Sequence, residues 1–293
     1  MSGFGQRLAR AMAQRGRLCV GIDPHPASLA AWGLEDTPAS LERFALSLVE
    51  AAAAGGAAAV KPQSACFERH GARGLAALER ALAAARAARV LTILDVKRGD
   101  IGSTMADYAR AYLDDAAPLA ADAITLSPYL GFGSLEPALE LAAETGRGVF
   151  VLAFTSNPEG QSVQHAVTPG GLSVGESMIQ AAASWNADWA AAAGAETAGH
   201  SGLVGLVGLV IGATIGSLPP RGAQLIAQVG GHILAPGVGA QGAGPTELRT
   251  VFGPALSLVL PTASRSVAAA GPDPERLVQK VAEAVQAMSF LGN

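Results

Sequence analysis

The stretch GLAALERALAAARAARVLTILDVKRGD (74–100) holds a predicted helix, a predicted strand and a charged turn, in that order. Leu75, Leu78 and Leu82 recur at the spacing of one helix face. The apolar run VLTILD (90–95) follows, and charged residues begin where a buried strand would end. A helix that leads directly into a buried strand is the repeating unit of α/β proteins, so this stretch predicts an α/β fold.

Seven further apolar runs alternate with alanine-rich helical stretches along the chain. Each is short and is followed by polar residues, glycine or proline, as is typical of buried strands. These runs are RLCVGI (17–22), AAAV (57–60), ADAITL (121–126), GVFVLA (148–153), LVGLVI (206–211), HILA (232–235) and LSLVL (256–260). Eight strands with helical connections predict a (β/α)8 TIM barrel, which usually takes about 250 residues. A doubly wound parallel sheet is the alternative, since it shows the same alternation.

The length fits one large α/β domain or two small ones, and one domain is the better interpretation because no linker is visible. Hydrophobic residues make up 50% of the 293 residues and charged residues 15%, so the chain can bury a large core and does not belong to the disordered class. We predict a single barrel domain over residues 1–293. The connection between two strands is unusually long around 155–202, where we predict an insertion.

The charge balance and the cysteine content exclude several classes of protein. The chain has 20 Lys+Arg against 24 Asp+Glu, a net charge of -4, which argues against a nucleic-acid partner. Cys19 and Cys66 form neither a CxxC pair nor a disulfide framework, so we expect no metal site and a cytoplasmic location. The N-terminal MSGFGQRLARAMAQRGR carries four arginines and no apolar core, which is unlike a signal peptide.

One stretch is uncharged for long enough to resemble a membrane span. Residues 197–220 carry no charged side chain and include SGLVGLVGLVIGATIGSL. Glycines interrupt this stretch, and each costs about 1 kcal/mol relative to alanine inside a helix. We therefore predict a buried parallel strand, LVGLVI, between glycine-rich loops, and no membrane association.

Charged and polar residues follow most of the predicted strands, at the barrel end where this fold places its chemistry. They are Asp23, Lys61, residues 95–100, Ser127 and residues 264–266, and the seventh strand ends at a Pro-Gly turn (236–237).

The strongest of these groups is LTILDVKRGD (91–100). Side chains alternate along a strand, so Asp95 and Lys97 point to the same side if the strand continues through Lys97. Asp100 lies past the strand, on a turn opened by Gly99, where it can reach a neighbouring subunit. A lysine between two carboxylates stays protonated, which suits it to stabilise an anion and then protonate it. For an isolated D-x-K pair, a salt bridge on a solvated rim is the alternative.

The glycine-rich segment GVGAQGAG (237–244) follows the seventh predicted strand. Its G-x-G-x-x-G spacing is a weak dinucleotide signal alone, because position 262, where that motif needs an acid, is threonine. In a barrel, the loops after strands seven and eight often bind phosphate through backbone N–H groups. Gly237, Gly239 and Arg265 therefore predict a phosphate site.

DVKRGDIGST (95–104) resembles the D-x-K-x-x-D-I-x-x-T signature of the orotidine 5'-phosphate decarboxylase family. The chain is most similar to the longer bacterial (type 2) branch, which carries SPYLG and TSNPEG. The resemblance spans nearly the whole chain and outweighs the salt-bridge alternative for the D-x-K pair. The other similar segments are GIDPHP (21–26), VKPQSACFERHG (60–71), LSPYLG (126–131), FTSNPEG (154–160), APGVGAQG (235–242) and SRS (264–266).

The resemblance implies decarboxylation of orotidine 5'-monophosphate (OMP) to UMP, the last step of de novo pyrimidine synthesis. It implies no metal and no organic cofactor. It also implies a homodimer in which Asp100 and Thr104 reach the partner's site.

The resemblance implies a role for each matched residue. Lys97 would donate the proton to C6 of the pyrimidine, with Asp95 near the departing carboxylate. Lys61 and Asp100 would complete an alternating Lys-Asp-Lys-Asp array. The remaining matches are Asp23 and Lys61 to the ribose, Ser127 to the pyrimidine, and Gln241 and Arg265 to the phosphate.

Two other functions share parts of this pattern. A Mg²⁺-dependent sugar-phosphate decarboxylase on the same barrel would share D-x-K-x-x-D and the phosphate loops. A catalytically inactive barrel that binds a nucleotide is the other alternative, although every charged position that the chemistry needs is present. The roles of Ser156 and Asn157 in FTSNPEG stay open, on the pyrimidine side or in a lid.

Overall fold

The computed structural model describes residues 3–194, 203–239 and 242–292. Within these ranges eight parallel strands close into a barrel in sequence order, each paired with the next and the last with the first. The strands are β1 (Cys19–Ile22), β2 (Ala59–Pro62), β3 (Leu91–Arg98), β4 (Ala123–Leu126), β5 (Gly148–Phe154), β6 (Val207–Ile211), β7 (Ile233–Pro236) and β8 (Val259–Ala263). The predicted TIM barrel is therefore confirmed, and the doubly wound alternative is wrong because the sheet has no open edge.

Helices connect the strands and cover the outside of the barrel. The α-helices of the described residues are α1 (Phe4–Gln14), α2 (Pro26–Ala31), α3 (Pro38–Ala54), α4 (Ser64–Glu68), α5 (Gly71–Ala87), α6 (Gly102–Leu113), α7 (Glu136–Thr145), α8 (Gln161–Gln164), α9 (Val174–Ala192), α10 (Pro220–Leu225), α11 (Pro245–Phe252), α12 (Arg265–Ala268) and α13 (Pro274–Ala287). Short 3₁₀ helices lie at Phe132–Leu135, Pro158–Gly160, Ile226–Gln228, Gly253–Leu258 and Ser289–Gly292.

Local signals in the sequence explain where several helices begin. Thr37 accepts a hydrogen bond from the Ser40 N–H at the start of α3. Ser173 and Glu176 form a reciprocal capping box at the start of α9. Each cap satisfies backbone N–H groups that the first helical turn leaves without partners.

All eight predicted strands exist, and the eighth differs most from its predicted bounds. The run LSLVL (256–260) predicts a strand that begins at Leu256, whereas β8 begins at Val259. Leu256 and Leu258 belong instead to the 3₁₀ helix Gly253–Leu258. An apolar run alone does not distinguish a buried strand from a buried helical turn.

The core has two parts, one on each side of the strands. The larger part packs the outward-facing strand residues against the surrounding helices. The smaller part fills the barrel interior and includes Ala59, Ile93 and Ala123. Helix α1 closes the amino-terminal end of the barrel, where Phe4 packs edge-on against Phe150 with ring centroids 5.9 Å apart. The carboxyl-terminal end is therefore the open end.

The uncharged stretch 197–220 contains a buried barrel strand, as predicted. All five residues of β6 are buried. Within the described ranges, no helix has both the length and the apolar content needed to cross a membrane. The single-domain assignment over 1–293, with its insertion around 155–202, stays a prediction; α8 and α9 lie in that connection, and residues 195–202 lie outside the described residues.

Candidate active site

Polar side chains form the top layer of the barrel interior. Ala59, Ile93 and Ala123 face inward in the layer below. Because side chains alternate along a strand, the residues two positions further on face the same interior. These are Lys61, Asp95 and Thr125, and all three are buried.

Asp95 lies between two lysines in this layer. Its Oδ2 accepts a hydrogen bond from Lys61 Nζ at 2.7 Å, and its Oδ1 accepts one from Lys97 Nζ at 2.5 Å. The Lys61 and Asp95 side chains are 8% and 7% exposed, whereas the Lys97 side chain is 44% exposed. Lys97 therefore carries the accessible ammonium group of a buried charge network.

The network keeps Asp95 and Lys61 ionised. Burial alone would raise the pKa of Asp95, but the charges of Lys61 and Lys97 and their hydrogen bonds hold it well below its ordinary value. Burial would likewise lower the pKa of Lys61, but the charges of Asp95 and Asp23 and the Asp95 hydrogen bond raise it. An anionic Asp95 beside Lys97 can hold that ammonium in place for a reaction.

Two neutral side chains complete the shell of Asp95. Thr125 Oγ1 donates to Asp95 Oδ1 at 2.8 Å, and Gln63 Nε2 donates to Asp95 Oδ2 at 3.1 Å. Thr125 Oγ1 also accepts the backbone N–H of Lys97 at 3.0 Å. Sequence reasoning missed both residues, although Thr125 is the polar member of the apolar run ADAITL and Gln63 lies two positions beyond Lys61.

The backbone at Lys97 has a conformation that residues with a Cβ rarely adopt. Its φ is 46°, in the left-handed region, and the pairing of β3 with β4 is irregular between Leu94 and Arg98. Such a conformation costs about 1–3 kcal/mol and persists where surrounding contacts hold it. The structure places this strain at the residue whose ammonium group faces the open end of the barrel.

Gly99 permits a close approach of strands β3 and β4 just past their ends. A Cβ at this position would overlap the carbonyl oxygen of Ser127. The Ser127 N–H donates to the Arg98 carbonyl at 2.8 Å. Ser127, a predicted site residue, therefore lies beside the charged turn that follows Lys97.

Asp100 and Thr104 stand apart from the buried network. Asp100 Oδ1 accepts the N–H of Ile101 at 2.8 Å, and among the described residues Asp100 makes no ion pair. Thr104 is exposed on the first turn of α6. Within one chain the array is thus Lys61–Asp95–Lys97, and the structure does not bring Asp100 into it.

Asp23 lies on the other side of Lys61, at the end of β1. Its Oδ2 accepts a hydrogen bond from Ser264 Oγ, while its Oδ1 is buried without a hydrogen-bond partner among the described residues. A buried carboxylate oxygen without a donor is suited to accept a hydrogen bond from a ligand hydroxyl. Ser264 is a further site residue that sequence reasoning did not single out.

A cavity of about 320 Å³ connects Lys61 and Asp23 with the glycine-rich loop. Its wall includes Gly237 and Arg265, both predicted phosphate contacts. The φ values of Gly237 and Gly239, 110° and 77°, require glycine. The glycine-rich loop and the exposed guanidinium of Arg265 therefore line one cavity together with Lys61 of the charged network.

Three other predicted residues have less support. Gln241 lies outside the described residues, so its predicted phosphate contact stays a prediction. Ser156 and Asn157 are exposed beyond β5, and Asn157 Oδ1 accepts a hydrogen bond from Thr155 Oγ1 at 2.6 Å.

Across the described ranges, no three His, Cys, Asp or Glu side chains are grouped so that they could hold a metal ion.

Comparisons with known proteins identify the family of this chain. Residues 16–281 match the family model described as "Orotidine 5'-phosphate decarboxylase / HUMPS family". A Salinispora arenicola protein named orotidine 5'-phosphate decarboxylase is 55% identical over 273 residues, which cover 93% of this chain and 92% of that protein. A Streptomyces coelicolor protein of the same name is 54% identical over 273 residues, with the same coverage.

A solved structure also matches nearly the full chain. A crystal structure from Streptomyces avermitilis aligns with a TM-score of 0.89 at 49% identity, covering 99% of this chain and 96% of that chain. By sequence over most of its length, this chain belongs to the orotidine 5'-phosphate decarboxylase family.

Proposed function

We propose that this chain decarboxylates orotidine 5'-monophosphate to UMP, the last step of de novo pyrimidine synthesis. The observation that carries the proposal is the hydrogen bond between Lys97 Nζ and the buried Asp95 at the open end of the barrel. The names of the relatives agree with this reaction.

The reaction breaks the bond between C6 and the carboxylate carbon. CO2 leaves, and the electron pair stays on C6, where the ring provides little delocalisation. A fixed cation at C6 lowers the energy of this anion. Lys97 supplies that cation, transfers its proton to C6 and regains a proton from solvent. Asp95, held ionised by two lysines, orients Lys97 and lies near the departing carboxylate.

The rest of the substrate binds along the cavity. The unpartnered Oδ1 of Asp23 and the ammonium of Lys61 face the ribose hydroxyls, and Ser127 contacts the pyrimidine. Gly237, Gly239 and Arg265 bind the phosphate. Gln241 belongs to the same loop by sequence. Phosphate binding far from C6 supplies binding energy that can close this loop over the ring and so stabilise the transition state.

The proposed active form is a homodimer. Asp100 has no ionic partner within its own chain as described, and the next residue, Ile101, is an apolar side chain that is 62% exposed. Tyr129 and Leu130, which follow β4, are 80% and 53% exposed. Large exposed apolar side chains that form one patch are typical of an interface, and the proposed dimer would bury these three. In the dimer, Asp100 and Thr104 enter the partner's site, where Asp100 completes the charged array around Lys97.

The proposal includes no metal and no organic cofactor, and it locates the protein in the cytoplasm. The sugar-phosphate decarboxylase alternative is not favoured, because the similar curated proteins carry the name orotidine 5'-phosphate decarboxylase. The inactive-barrel alternative is not favoured either, since Lys61, Asp95 and Lys97 are present and in contact.

Product analysis tests the reaction directly. The purified chain is incubated with OMP in the presence and absence of EDTA, and UMP and CO2 are quantified. The proposal predicts equal amounts of both products and the same rate with EDTA. Activity lost with EDTA and restored by Mg²⁺ would support the metal-dependent alternative, and nucleotide binding without product would support the inactive barrel.

A further inference from the structure

His25 lies in the cavity that holds the proposed substrate site, although nothing in the charged network requires it. It contributes to the wall together with Asp23, Lys61 and Arg265. By sequence, a lone histidine in a D-P-H-P turn is more often structural. Its position in the wall of this cavity instead indicates a role in binding a ligand.

The backbone around His25 is fixed without help from its side chain. The His25 N–H donates to the Asp23 carbonyl at 2.8 Å, and Arg69 Nη2 donates to the Pro24 carbonyl at 3.0 Å. His25 is the N-cap residue of α2, yet its side chain makes no capping hydrogen bond. Neither the turn nor the helix cap therefore uses the imidazole.

A buried thiol contacts one of the two imidazole nitrogens. Cys66 Sγ lies 3.6 Å from His25 Nδ1, and Cys66 is only 3% exposed. Burial, and to a smaller extent the charge of Asp23, raise the pKa of this thiol to about 11. The thiol therefore keeps its proton at neutral pH and can donate it in a hydrogen bond to Nδ1, which leaves Nε2 as the ring nitrogen that can donate to a ligand.

The second ring nitrogen faces away from Cys66. The two nitrogens lie on different edges of the imidazole, and in the described part of the chain Nε2 has no hydrogen-bond partner. His25 is itself exposed. Because His25 lines the cavity, its Nε2 is available to a ligand with an acceptor oxygen.

The composition of the cavity wall indicates which part of a nucleotide this donor meets. The wall includes buried Lys61, half-buried Asp23, and the exposed residues His25 and Arg265. In the proposed binding mode Asp23 and Lys61 contact the ribose, and Arg265 contacts the phosphate. His25 is exposed in the same wall as Arg265, and an imidazole N–H can donate a hydrogen bond to a phosphate oxygen.

We infer that His25 is a substrate-binding residue whose Nε2–H donates to the 5'-phosphate, in the same cavity as the glycine-rich loop. This inference rests on the proposed function and deepens it. It assigns to the β1 loop a part in phosphate recognition, which the glycine-rich loop and Arg265 would otherwise perform without it.

A matched pair of variants tests whether a hydrogen-bond donor at the Nε2 position is required, or only a polar side chain at position 25. His25→Gln places an amide N–H near the Nε2 position, whereas His25→Asn places one near Nδ1, too short to reach the phosphate. The readout is the ratio of kcat/KM for OMP to kcat/KM for orotidine, which lacks the phosphate. We expect this ratio to fall about 10-fold in His25→Asn and to be largely retained in His25→Gln.

Two further variants calibrate the measurement. Arg265→Ala, at the proposed phosphate arginine, should lower the same ratio. His70→Asn should leave it unchanged, because His70 binds Asp36 outside this cavity. Thermal unfolding of each variant checks that the fold is intact.

Three results would overturn the inference. Equal losses for OMP and orotidine in His25→Asn would place the contact on the ribose or base. An unchanged ratio in His25→Asn would remove His25 from the phosphate site. A wild-type chain that converts neither compound would instead contradict the proposed function itself, and the phosphate role would fall with it.

Discussion

Thr125 Oγ1 donates a hydrogen bond to Asp95 Oδ1 at 2.8 Å and, through the same oxygen, accepts the backbone N–H of Lys97. One buried hydroxyl thus orients the carboxylate that holds the Lys97 ammonium and stabilises the left-handed backbone at Lys97. Thr125 is a positioning residue: in the described structure it acts on Lys97 through Asp95 and through the backbone.

We expect Thr125→Val to lower kcat about 10-fold while KM for OMP changes little. Valine has a similar shape but no hydroxyl, and a buried hydrogen bond to a charged group contributes about 1.5–3 kcal/mol. Steady-state kinetics measure the effect, and Thr125→Ser, which keeps the hydroxyl, is the matched control. A serine variant as slow as the valine variant would argue against a role for the hydrogen bonds.

Asp95→Asn tests the buried ion pair with Lys61. This change leaves Lys61, which is 6% exposed, without its anionic partner, so we expect a loss of about 3–5 kcal/mol in the free energy of unfolding at pH 7. Urea denaturation followed by circular dichroism measures it.

The same pair of proteins gives a pH dependence with a definite sign. The folded-state pKa of Asp95 lies below its unfolded value, so its contribution is present above about pH 4 and is lost as the pH falls further. The difference in the free energy of unfolding between wild type and Asp95→Asn should therefore become smaller in acid. A difference that stays constant from pH 7 down to the acid limit of the fold would contradict the account.

Gly99→Ala tests the close approach between the turn after β3 and the end of β4. The added Cβ would overlap the Ser127 carbonyl oxygen, so the backbone between Lys97 and Asp100 must shift. We expect a loss of activity together with a lower Tm. Gly133→Ala is the control, because a Cβ there meets no atom within 4 Å and its change in stability should stay within about 0.5 kcal/mol. If Gly99→Ala and Gly133→Ala changed activity and stability to the same extent, the steric argument would be wrong.

The proposed dimer makes a complementation prediction. Lys97→Ala and Asp100→Ala proteins, each inactive alone, are mixed under conditions that exchange subunits. One of the two sites in a heterodimer then has both residues intact, so random exchange should restore about one quarter of the wild-type activity. If exchange is confirmed and no activity returns, Asp100 acts within its own chain.

The strands of the barrel and the Asp95–Lys97 contact follow from the periodicity of the sequence. The apolar runs predict all eight strands, because each is too short for a helix and ends at polar residues. The spacing of Asp95 and Lys97 predicts their shared side, which their 2.5 Å hydrogen bond confirms. Strand β8 is the weakest prediction, since the leucines before it form a 3₁₀ turn.

Other features of the site depend on the register between strands. The contact of Lys61 with Asp95 joins residues 34 positions apart, and the pairing of β2 with β3 determines it. Thr125 gave no signal in sequence because a single threonine is common in an apolar strand. The left-handed backbone of Lys97 is likewise invisible to residue patterns; it coincides with the irregular pairing of β3 with β4 between Leu94 and Arg98.

The most direct test of the central claim is the rate of OMP decarboxylation, followed by ultraviolet absorbance, in wild type and in Lys97→Ala. The account predicts turnover by wild type and a fall in kcat of at least about 1,000-fold in the variant, because one residue both stabilises the anion and protonates it. Binding of UMP and the Tm of the variant serve as controls for the fold. A folded Lys97→Ala protein that retains kcat within tenfold of wild type would contradict the assignment of Lys97 as the proton donor.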